Sequence, residues 1–167
     1  MNFQCSWDGT VSGITISVSI LLVALFIACF FAVRKHEKPK YQMIILIIVF
    51  VGVLACITVS GLYTPLNVSI QNQSISIHQL KGNTVIPITD IKEIRRCTEF
   101  DTKNSTKVFG DDGFFGNLGI FNNSQLGKYT IYVTNHSNRI LVKTNTETII
   151  FSCDNPDNLI KIIDTMH

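Results

Sequence analysis

Two uncharged apolar runs, parted by a basic heptapeptide, constrain this chain more than any other feature. Val11–Val33, "VSGITISVSILLVALFIACFFAV", holds no charged residue over 23 positions, and Met43–Leu62, "MIILIIVFVGVLACITVSGL", holds none over 20. A helix rises about 1.5 Å per residue, so roughly 20 residues cross the hydrocarbon core of a bilayer. Both runs suffice, and two in series around a basic loop point to a transmembrane hairpin rather than to buried soluble helices. Ahead of the first run there is no Lys or Arg and one acid, Asp8, so the positive region of a cleaved signal peptide is missing. The chain therefore divides into a short tail (1–10), a hairpin (11–62, with spans 11–33 and 43–62 and a basic loop 34–40) and a domain over 66–167.

The heptapeptide "RKHEKPK" carries four of the fourteen Lys and Arg residues. Short Lys/Arg-rich loops stay cytoplasmic, so Arg34, Lys35, Lys38 and Lys40 set the topology: the loop inside, both termini outside. Tyr41 then marks the inner interface, and Trp7 and Tyr63 mark the outer one. Small residues recur every fourth position, at Ala24, Ala28 and Ala32 and at Gly52, Cys56 and Ser60. Such stripes let helices approach closely where lipid supplies no hydrophobic drive. They suit packing within the hairpin, and also self-association into a homo-oligomer.

From Gly61 onward there are ten basic and ten acidic residues. This neutrality argues against a nucleic-acid partner, because such binding depends on clustered cations. The five cysteines form no CxxC, and the four histidines show no HxxxH or HExxH spacing. No metal and no cofactor is expected. Cys97 and Cys153 are compatible with a disulfide in an oxidising compartment. Without GxSxG, a Cys/His pair or a paired-acid motif, the chain does not read as an enzyme.

Beyond Pro65 the texture alternates. "LNVSIQNQSISI" places Val68, Ile70, Ile75 and Ile77 at period two around a polar break, Asn72–Gln73, as strands joined by a hairpin turn do. "LKGN" supplies another turn, and "KYTIYVT", "RILVKT" and "ETIIFSC" supply further strands. In "DNPDNLIKIIDTMH", Pro156 and Asp157 open a helix over about 156–166. Its Leu159, Ile162, Ile163 and Met166 form an apolar stripe. The fold class is thus a two-helix hairpin followed by a mostly-β domain of about seven strands with a C-terminal helix as a plug.

"FGDDGFFGNLGIF" fits none of the ligand loops it suggests. A dinucleotide fold needs GxGxxG, a Walker loop needs Gly-Lys-Ser/Thr, and a calcium loop needs alternating acids. What remains is backbone: glycine permits positive φ, bulges and close approach. The aromatics either fill the core or stay exposed for a partner, and adjacent Phe114 and Phe115 cannot both point inward from a regular strand. Phe109, Gly110, Gly113, Phe114, Phe115, Gly116, Gly119 and Phe121 therefore form a candidate interaction loop.

"LKGNTVIPITDIKEIRR", "FGDDGFFGNLGIFNNSQLGKYTIYVTNHSNRILVKT" and "FSCDNPDNLIKII" together resemble the bacterial pleckstrin-homology (PH) domain family, over most of residues 66 to 165. The resemblance implies a seven-stranded, roughly orthogonal barrel capped by a helix, often set beside transmembrane helices, in a bacterial inner membrane. It names a shape rather than an activity. Lipid-binding eukaryotic PH domains use basic residues around the first hairpin, whereas this turn is "QNQS", which argues against phosphoinositide binding. The expected function is a membrane-anchored, non-catalytic interaction or scaffold module with a protein partner, in envelope assembly or sensing. Binding of an apolar ligand or lipid is the alternative, and an enzyme comes last.

Overall fold

The computed structural model describes residues 1–35, 40–113 and 115–166. Helix α1 (Gly9–Lys35) and helix α2 (Lys40–Tyr63) run back to back as a hairpin. Both are long and apolar enough to cross a membrane, and the most apolar stretch of each is unburied. Phe26 and Phe50 stack across the pair with ring centroids 3.8 Å apart. The Gly52–Cys56–Ser60 stripe does not serve close helix packing: a Cβ added at Gly52 would meet nothing within 4 Å.

The domain after the hairpin is built from two antiparallel-rich sheets. Strands β1 (Asn2–Gln4), β2 (Pro65–Gln71), β3 (Ser74–Gln79) and β4 (Gly82–Pro87) form the first, in that order. Asn72 and Gln73 link β2 to β3 with both φ angles positive (49° and 56°), as a two-residue hairpin turn requires. A 3-10 turn at Ile88–Asp90 then carries the chain to the second sheet. That sheet contains β5 (Ile91–Arg96), β6 (Thr106–Asp112), β7 (Asn117–Asn123), β8 (Gly127–Val133), β9 (Arg139–Thr144) and β10 (Thr148–Ser152). Its order is β5-β9-β10-β8-β7-β6, with β10 parallel to β8.

The expected architecture holds, with two refinements. The glycine-rich segment is not one irregular passage but two paired strands, β6 and β7. The N-terminal tail adds a strand, pairing Phe3 with Val68, so the described residues form ten strands rather than about seven. Among the described residues the two sheets are not hydrogen-bonded to each other, so the enclosure is barrel-like but open.

Period-two alternation places the core. On β9 and β10, Ile140, Val142, Ile149 and Phe151 face the first sheet, joining Val68, Ile75, Ile77 and Ile86. Leu141 and Ile150 face the other way, beside Phe121, Tyr129, Ile131 and Val133. The central strands are thus apolar on both faces, which is why "TIIFS" reads as a continuous buried run. Helix α3 (Pro156–Met166) closes the first cluster with Leu159 and Ile163, both fully buried. Met166, the last residue of the expected stripe, is exposed because the helix overruns the core there.

Candidate functional site

The β6–β7 hairpin is shaped by glycine pairing. Gly110 stands opposite Gly119 in the register, with φ values of +125° and +134°. A Cβ on Gly119 would lie 2.2 Å from the Phe109 carbonyl oxygen, and one on Gly110 would lie 2.0 Å from that of Leu118. Gly116 is pressed in the same way against Val133. Gly113 instead shapes the turn, donating its N–H to the Gly116 carbonyl at 2.9 Å.

The turn seats the domain on the hairpin. Phe115 adopts φ +62° and donates its backbone N–H to Thr15 Oγ1 of α1 at 3.1 Å. Its ring meets Trp7 edge-on at 5.5 Å and lies 3.9 Å from where Gly61 of α2 would carry a Cβ. Both helix ends thus touch one aromatic residue. Of the other candidate-loop aromatics, Phe121 is buried and stacks on Tyr129, while Phe109 is 70% exposed. Phe114 lies outside the described residues, as do Lys38 and the side chains of Lys35 and Lys40. Arg34 is exposed.

A second seat escaped sequence reasoning. Asp8 caps α1, accepting the Val11 N–H at 2.7 Å. Its other oxygen accepts from the His136 backbone N–H at 3.0 Å and from His136 Nδ1 at 2.7 Å. Burial pushes the Asp8 carboxyl up, but the hydrogen bonds from His136 and Val11 outweigh it and hold the group at about 2. An acid directly before an apolar run is a capping signal, but its partner 128 residues away leaves no local trace.

Other polar contacts fasten the domain itself. Asp101 takes a two-pronged pair from Arg95, at 2.8 and 2.6 Å, and Arg96 holds Asp157 of α3 at 2.8 Å. Arg95–Arg96 is therefore committed to internal ion pairs. Cys97 and Cys153 are free thiols in separate clusters. The neighbour of Cys153 is Cys5, whose thiol is pushed up to about 12 by burial first, and then by Cys153 and Asp154.

Between the two helices and β6, β7 and β8, on the sheet face shared with Ile149 and Phe151, lies an open, predominantly apolar cavity of about 1170 Å³. Gly52, Cys56 and Ser60 line it from α2, and Gly110 and Gly119 line it from the sheet. Its charged lining residues are Lys81 and Asp111. Lys81 Nζ rests 3.7 Å above the Tyr63 ring. No group of three His, Cys, Asp or Glu able to hold a metal occurs among the described residues.

The family model for the bacterial PH domain matches residues 66–165. The chain belongs to the bacterial PH domain family. No curated protein and no solved structure matches it. The matched stretch runs from β2 to α3, so the PH domain of this chain includes the glycine hairpin and the capping helix. Strand β1 and both seats on α1 and α2 lie outside it.

Proposed function

We propose that the chain is a membrane-anchored, non-catalytic interaction module whose hairpin spans the bilayer and holds the PH domain at the extracytoplasmic face. One observation carries this reading: the domain is seated on both helices at once, through Phe115 against Trp7, Thr15 and Gly61. A domain on a loose tether needs no such seat; a domain displayed in a fixed pose does. Strand β6 forms one edge of the six-stranded sheet and presents Val108 (59% exposed) and Phe109. An unpaired edge with exposed apolar side chains suits a protein partner that adds a strand.

A photo-crosslinking residue at position 108, in cells, tests the partner. A discrete protein adduct, lost when Phe109 is replaced by Ser, is expected; adducts to lipid alone would sink the reading. For the side of the membrane, Phe100 is 67% exposed, so Phe100→Cys should react with an impermeant maleimide in intact cells. Reaction only after lysis would place the domain in the cytoplasm.

A second reading, that the domain holds an apolar ligand, is supported by the cavity beside α2. A chain purified free of any bound lipid would remove it.

A further inference from the structure

We propose that the cavity between α2 and the sheet binds one membrane phospholipid with a zwitterionic, phosphoethanolamine-type head group. The inference rests on the second reading above and names its ligand. The helix wall lacks bulk: Gly52 and Cys56 line the cavity from α2, and nothing lies within 4 Å of where a Gly52 Cβ would be. The sheet wall includes Gly110 and Gly119, whose α-carbons are pressed against the paired strand. The 1170 Å³ volume exceeds the roughly 300–1,000 Å³ of drug-sized sites.

The shape is long as well as large. The lining runs along α2 from Val49 to Tyr63, roughly 21 Å at 1.5 Å per residue. An extended acyl chain fits a channel of that length.

Two opposite charges line the cavity, Lys81 and Asp111. The Lys81 backbone N–H donates to the Leu62 carbonyl at 3.1 Å, fixing Lys81 at the domain end of α2. Asp111 lines the same cavity from β6. Neither side chain forms an ion pair among the described residues. One cation and one anion in an otherwise apolar lining match a head group that carries a phosphate and an ammonium. A purely anionic head would bring its charge up to Asp111 as well as to Lys81.

The test uses the full chain, purified in a mild detergent and given phosphatidylethanolamine or phosphatidylglycerol with the same acyl chains. Native mass spectrometry should show one phosphatidylethanolamine per chain, retained at least about fivefold over phosphatidylglycerol. Lys81→Gln should lower that retention about tenfold, and Asp111→Asn should erase the preference between the two lipids. Gly52→Phe should fill the channel and displace lipid, while melting at the temperature of the delipidated parent. Equal retention by Gly52→Phe and the parent chain would overturn the proposal, as would equal retention of both lipids by the parent. Carbonate washing of the source membranes separates the two readings. A chain washed out fails as a membrane anchor, whereas a chain that stays but retains no lipid overturns the lipid site alone.

Discussion

Gly110 and Gly119 face each other across β6 and β7 so closely that each α-carbon occupies the space of the other's absent side chain: the added Cβ atoms would lie 2.7 Å from the opposite Cα. Both φ angles also fall where L-residues are strained. Gly119→Ala should therefore lower stability by at least about 2 kcal/mol, read as a drop in melting temperature of the detergent-solubilised chain. Gly13→Ala, in α1 with open space around it, should be neutral or slightly stabilising. Equal effects of the two would mean that the glycine pair is incidental.

That pair shows how far the sequence could be read. Glycine at every third position signalled an unusual backbone, and the family resemblance placed it within a PH domain. Neither could show that Gly110 and Gly119 are partners, because register depends on where the turn falls. The apolar runs, the hairpin turn at Asn72–Gln73 and the helix at Pro156 were legible because each is a local pattern. Strand β1 was not: three residues of a tail carry too little periodicity, and Phe3 finds Val68 only through the fold. The seats formed by Asp8 with His136 and by Trp7 with Phe115 are likewise long-range pairings. The cavity escaped because its lining comes from both helices and from strands far apart in sequence, which meet only through the fold.

The Trp7–Phe115 contact should be measurable as a coupling. An edge-on aromatic pair is worth about 0.5–1.5 kcal/mol beyond its burial. A double-mutant cycle with Trp7→Leu and Phe115→Leu should return a coupling free energy of that size. Thr15→Val, which removes the acceptor for the Phe115 N–H, should speed hydrogen exchange at Phe115. A coupling near zero would show that the ring contact does not hold the domain to the hairpin.

Asp8 makes the seat acid-sensitive. Its carboxyl lies at about 2 against an ordinary 3.8, so its charged form is favoured by folding. A lowered carboxyl contributes stability that is fully present above pH ~4 and is lost as pH falls through about 2. Asp8→Asn keeps a capping side chain but loses the charge beside His136. The variant should melt below the parent at pH 7, and the gap should close between pH ~4 and ~2. A gap that is constant down to pH 2 would assign the loss to capping geometry rather than to charge.

The thiols of Cys5 and Cys153 should report the docking of the tail. Burial pushes both up, to about 12 and about 11, so neither is a thiolate near neutral pH. The backbone around them is fastened: the Asp154 N–H donates to the Gln4 carbonyl at 2.9 Å, and the Ser6 hydroxyl donates to the Asp154 carboxylate at 2.7 Å. At pH 8 in detergent, alkylation of both should be slow in the folded chain and complete on denaturation. Ser6→Ala removes one fastening without touching the core, and it should raise the alkylation rates of Cys5 and Cys153 together while leaving Cys97 unchanged. A rise at Cys5 alone would mean that the tail opens without uncovering the start of α3. No rise at either thiol would show that β1, rather than the Ser6–Asp154 contact, holds the tail in place.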